Sequence, residues 1–108
     1  MDANEYQQAC KRTAVYPHIL SLSYVTLGLA GEAGEVANKV KKVFRDNGGE
    51  LTPESIYAIA DEIGDTLWYC AMLCEEMGLS LDGVMRANIA KLERRMESQT
   101  IHGDGDRR

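Results

Sequence analysis

Residues 52–78 read TPESIYAIADEIGDTLWYCAMLCEEMG, and this stretch decides the fold. It opens as a helix start. Thr52 suits the N-cap, Pro53 suits the first helical position, and Glu54 sits favourably against the positive end of the helix dipole. Ile56, Ile59, Ile63, Leu67, Cys70, Cys74 and Met77 then recur at helical spacing, and Gly78 closes the run. Trp68, Tyr69, Met72 and Leu73 lie on other faces of the same helix. A helix that is apolar nearly all round is buried nearly all round. A short chain has few layers with which to cover it. A second copy is therefore expected to do so, giving a homodimer or homotetramer joined through the central helices. The alternative is a central helix in a compact monomer.

Upstream, a second long helix is predicted from about Ser21 to about Arg45. Leu22, Val25, Leu29, Val36, Val40 and Val43 are its apolar positions, Ala33 fills the gap, and Asp46-Asn47-Gly48-Gly49 stops it. A shorter helix from roughly Asn4 to Val15 is ended by Pro17. Downstream, Ser80 can cap a fourth helix carrying Leu81, Val84, Ile89, Leu92 and Met96. Residues 98–108 turn polar and Gly-rich, reading as a tail or as a loop over a site. The expected fold class is all-α, a helical bundle of about four helices in one domain over residues 1–108.

Composition narrows the function. Hydrophobic residues at 44% and charged residues at 27% are the balance of a soluble globular protein. Aromatics at 6%, with no alternating β-branched runs, exclude an all-β sandwich. A net charge of −5 has the wrong sign for coating nucleic acid polymers or anionic membranes. The run between His18 and Glu32, Ile19 to Gly31, is too short to span a bilayer. Cys10, Cys70 and Cys74 show no CxxC spacing and read as reduced thiols, and MDANEYQQACKR holds no secretory apolar core. A cytoplasmic protein is expected.

The acidic residues are the anomaly. The two long helices carry Glu32 with Glu35, and Glu62 with Asp65, each pair three residues apart and so on one helix face. At about 100° per residue, Glu32 falls about 40° from Val36, inside the apolar stripe. Glu35 flanks that stripe, and Glu62 and Asp65 flank the other. A charge withdrawn from water without compensation costs several kcal/mol. Lys39 and Lys42 lie on the same side and can help, but two ammonium groups do not balance four carboxylates. A divalent cation does so better, and Mg²⁺ takes carboxylate oxygens while keeping positions for water and phosphate. Gly31, Gly34 and Gly64 interleave with the acids, where small residues let backbones or a ligand approach.

Three segments, GLAGEAGEVANKVKK (28–42), DEIGDTLWYC (61–70) and NIAKLERR (88–95), resemble the MazG-type nucleoside triphosphate pyrophosphohydrolases of the all-α NTP pyrophosphatase superfamily. The resemblance runs roughly from Leu27 to Asp106, and the GDGDRR ending looks like that of many short members. It implies that Glu32, Glu35, Glu62 and Asp65 bind Mg²⁺, or Mn²⁺ in its place. The implied reaction is hydrolysis of a nucleoside triphosphate between its α and β phosphorus atoms, releasing a monophosphate and pyrophosphate. Asn88 and Lys91 match the family's NxxK positions, which implies contact with phosphate or sugar. Tyr69 is implied to line a nucleoside pocket, the alternative being a core tyrosine. Lys39 is expected to finish the charge balance on the substrate. Many members carry EExxE, and Gly31 stands here at the first of those positions. The water-activating role is then expected of Glu32 or Glu35.

Two other classes compete. In a non-catalytic helical interaction or regulatory module, the acids would only pair with Lys39, Lys42 or Lys91. A di-iron carboxylate bundle typically uses Glu-x-x-His pairs, and His18 and His102 both lie outside the acidic motifs.

Overall fold

A computed structural model describes residues 1–98, which form four helices: α1 (Ala3–Lys11), α2 (Ser21–Asn47), α3 (Pro53–Glu76) and α4 (Leu81–Glu97). No strand occurs among the described residues, so the fold is all-α. The polar tail read from the sequence lies outside them, beyond Ser98, which caps α4.

Local chemistry sets the helix ends. The Thr52 hydroxyl accepts from the Ser55 N–H at 3.1 Å, and the Ser55 hydroxyl accepts from the Thr52 N–H at 2.8 Å, a reciprocal cap. Ser80 Oγ accepts from the Gly83 N–H at 2.9 Å. α1 stops at Lys11, short of the predicted Val15. There the Arg12 and Thr13 N–H groups turn back to the carbonyls of Ala9 and Cys10, and the Thr13 hydroxyl also donates to Cys10, which uses up the last acceptors. α2 runs to Asn47, where Gly48 takes a φ of +61° and ends it.

The start of α2 is different. Leu20 has a φ of +65° and no side chain caps the helix. Ser21 Oγ donates instead to Glu76 Oε2, and Tyr16 Oη donates to Glu76 Oε1, both at 2.7 Å. One carboxylate at the end of α3 thus ties down the entry to α2. These two donors hold the Glu76 carboxyl below its ordinary range, while burial and the Glu76 charge push Tyr16 up to about 12.

α2 and α3 form an antiparallel hairpin, and α1 packs on α3 and α4. Neither α1 nor α4 approaches α2. Gln7 fastens the α3–α4 corner: Nε2 donates to Glu75 Oε2 at 2.9 Å and to the Leu79 carbonyl at 3.0 Å, while Oε1 accepts from the Leu81 N–H at 2.7 Å. The core gathers Cys10, Tyr16, Val25, Ala71, Met72, Cys74 and Leu81, so it sits on the C-terminal half of α3. Other apolar residues of α3, on a face that this core does not reach, stay open in the single chain. Ile63 is 54% and Leu67 43% exposed. Ala33, Val36, Ile63, Leu67 and Cys70 line an apolar groove of 370 Å³. The radius of gyration, 16.7 Å, exceeds the roughly 13 Å of a compact domain of this length. All three cysteines are free thiols. Among the described residues, no helix is long and apolar enough to cross a membrane.

Candidate metal centre

The antiparallel register sets α2 and α3 side by side in layers, and the acids fall in neighbouring ones. One carboxylate oxygen from each of Glu32, Glu62 and Asp65 lies within 4.8 Å of the other two. Glu32 and Glu62 are half-buried and Asp65 is exposed. Glu35, one turn beyond Glu32, is exposed and stands outside this closest group. Partial withdrawal from water pushes Glu32 above the ordinary glutamate range. A hydrogen bond with Glu62 and the charges of Asp65, Glu62 and Glu35 push it the same way.

This arrangement has the donor chemistry of a hard-cation site: carboxylate oxygens only, converging and repelling one another. The ion pairs Lys11–Glu75, Arg45–Asp46 and Arg86–Asp82 lie elsewhere. Lys39 and Lys42 form no ion pair with the cluster among the described residues. They line a separate cavity of 300 Å³ at the α2–α3 turn, together with Asp46, Glu50 and Glu54. From successive turns of α2 they track toward the helix end, away from Glu32. The residues present therefore fit a divalent cation, which Glu32, Glu62 and Asp65 would hold.

Beside the acids, a cavity of 390 Å³ is lined by Thr13, Glu32, Asp65, Trp68 and Tyr69. Its aromatic wall is fixed. Trp68 Nε1 donates to Thr13 Oγ1 at 2.9 Å. The Trp68 ring stands edge-on to Tyr69, with centroids 5.0 Å apart, and edge-on to Tyr16 at 6.2 Å. Tyr16 in turn stacks on Tyr24 at 5.1 Å. Tyr69 thus lines the cavity beside the acids and also packs against the core. Thr13 and Trp68 were not among the expected site residues. Trp68 carried a signal, being an aromatic off the apolar stripe beside Tyr69, whereas Thr13 carried none.

Asn88 and Lys91 ride on α4, and in one chain α4 does not approach α2. The structure therefore does not bring them together with Glu32. The glycines also behave differently from expectation. A Cβ at Gly31, Gly34 or Gly64 would meet nothing within 4 Å, so none of the three serves close helix packing within the chain. His18 is not in the acid cluster, and His102 lies outside the described residues.

Residues 21–100 match the MazG nucleotide pyrophosphohydrolase domain, a span that takes in all four acids. The chain belongs to the MazG nucleotide pyrophosphohydrolase family. A relative of this MazG chain, the Gene 37 protein of Mycobacterium phage L5, is 44% identical over 114 aligned positions that cover 100% of each chain. No solved structure matches the chain. The matched MazG span begins at the first residue of α2. Thr13 and Tyr16, which support the aromatic wall, precede it.

The raised Glu32 has a consequence for stability. A carboxyl whose folded value lies above its unfolded one stabilises the fold fully below the unfolded value, and that contribution is lost as pH rises through the folded value. With chelator present, the melting temperature of this MazG domain is expected to fall from the ordinary glutamate range toward neutral pH. Glu32→Gln should flatten that decline. Circular dichroism melts across pH check it, and an equal slope in the variant would remove Glu32 as the cause.

Proposed function

We propose that this MazG domain is a divalent-metal-dependent nucleoside triphosphate pyrophosphohydrolase, cleaving the α–β phosphoanhydride to release a nucleoside monophosphate and pyrophosphate. The supporting observation is the convergence of Glu32, Glu62 and Asp65 within 4.8 Å, beside a cavity walled by Trp68 and Tyr69. A triphosphate is strongly anionic and would be repelled by bare carboxylates. Mg²⁺, or Mn²⁺, would neutralise phosphate oxygens and lower the pKa of a bound water. The chain's own residues then have separable duties. Glu32, Glu62 and Asp65 hold the cation. Glu35, outside the closest group yet near enough to act on Glu32, accepts the proton of the attacking water. Trp68 and Tyr69 hold the nucleoside and exclude water from one side. Asn88 and Lys91 contact phosphate or sugar, reaching it from α4 of a second copy, and Lys39, one turn along α2 from Glu35, balances charge at the far end of the triphosphate. The protein is then a cytoplasmic homodimer or homotetramer with a nucleotide substrate.

Two measurements test the reading together. Canonical and modified triphosphates are supplied with Mg²⁺, and pyrophosphate and phosphate are assayed separately. Pyrophosphate should appear, should not appear with chelator, and should not be replaced by phosphate. In thermal melts, Mn²⁺ at about 100 times its dissociation constant should stabilise by about 2.7 kcal/mol. A melting temperature indifferent to metal, with no turnover, would favour the non-catalytic module.

A further inference from the structure

α2 carries Tyr24, Gly28 and Glu32 one turn apart, and α3 carries Asp65 and Tyr69 one turn apart. Because the helices are antiparallel, the Gly28–Tyr69 layer adjoins the Glu32–Asp65 layer. The Tyr69 ring lies against the bare backbone of Gly28. A Cβ built there would stand 2.6 Å from Cδ1 of that ring and closer still to Cε1 and Cζ. Carbon atoms in contact need about 3.5 Å, so the ring occupies space that any other residue at position 28 would require. To make room the ring would have to move, and with it the aromatic wall it shares. Trp68 stands edge-on to it at 5.0 Å, and Trp68 is itself tied to Thr13. The other mid-helix glycines of the hairpin, Gly31, Gly34 and Gly64, face open space.

We infer that Gly28 and Tyr69 form a spacer that fixes the separation of α2 and α3 beside the acid cluster, making Gly28 a positioning residue for Glu32, Glu62 and Asp65. The inference rests on the metal reading proposed above. It sets itself apart from helix propensity by sign. Alanine favours a helix interior over glycine at every one of these positions, so propensity alone predicts a more stable helix everywhere and no loss of metal affinity anywhere. The spacer predicts a loss at position 28 only.

The test uses the full chain and Mn²⁺ alone, titrated by calorimetry. Gly28→Ala should weaken Mn²⁺ binding by about tenfold or more, while Gly34→Ala stays within about twofold of the parent. In a Tyr69→Ala background the ring is gone, and adding Gly28→Ala should change affinity by less than about twofold. Trp68, the sole tryptophan, should shift its emission in metal-free Gly28→Ala as Tyr69 is displaced. Gly28→Ala binding like the parent would overturn the spacer, as would an equal loss in the Tyr69→Ala background. If Gly28→Ala does not fold alone, recovery of folding on adding Tyr69→Ala supports the spacer, and no recovery overturns it. A parent that binds no Mn²⁺, or binds it unchanged in Glu62→Gln, is a separate result. It removes the metal reading, and the positioning role with it.

Discussion

Asp65→Asn is expected to abolish pyrophosphate release, by about 10³-fold or more, while the protein stays helical. Asp65 is exposed at the mouth of the acid cluster, so its amide analogue keeps the volume and disturbs no buried packing. What the substitution removes is the charge of one of three converging carboxylates. Cation stabilisation of phosphoryl charge is worth several kcal/mol, and about 4 kcal/mol corresponds to about 10³ in rate. Glu62→Gln should behave alike and also weaken Mn²⁺ binding. Glu35→Gln separates the roles. It lies outside the closest group, so Mn²⁺ binding should survive while turnover is lost. Pyrophosphate assays beside Mn²⁺ titrations of the three variants decide it. Wild-type turnover in Asp65→Asn would refute the assignment of the cluster.

The two long helices and the acid pair of each were legible because they rest on local rules. Thr52 and Ser80 cap as their positions require, and the period of Ile56 to Met77 is that of a helix. Glu32 stood out because a carboxylate inside an apolar stripe needs a partner. What stayed hidden depends on the register between helices. Nothing in the sequence of α2 says that Gly28, rather than Gly31 or Gly34, faces a ring, because that choice is made by where α3 lies. The same holds for Lys39, which shares the helix face of Glu32 but stands about 10 Å further along the axis, where the turn into α3 gives it a cavity of its own. Thr13 and Gln7 act through hydrogen bonds to residues far along the chain, Trp68 and Leu81, and no spacing rule reports such pairs.

Leu67→Asp is expected to abolish the proposed pairing of two copies. In the single chain Leu67 and Ile63 line the apolar groove on the hairpin, on a face of α3 that the core does not cover. A second copy packed there would bury the groove on both sides of a two-fold axis, so each substitution is felt twice. An unpaired carboxylate in such an interface costs several kcal/mol. A loss of about 4 kcal/mol weakens association by about 10³-fold. Light scattering at micromolar concentration should show the parent as a dimer or tetramer and Leu67→Asp as a monomer with a lower melting temperature. The same variant reports on Asn88 and Lys91. If α4 of a second copy carries them to the phosphates, a monomer loses turnover although its acids are intact. Mixing inactive Asp65→Asn with inactive Lys91→Ala should then restore part of the activity, since a mixed dimer holds one complete site. A monomeric parent whose α3 amides resist hydrogen exchange would show that the helix needs no second copy to cover it.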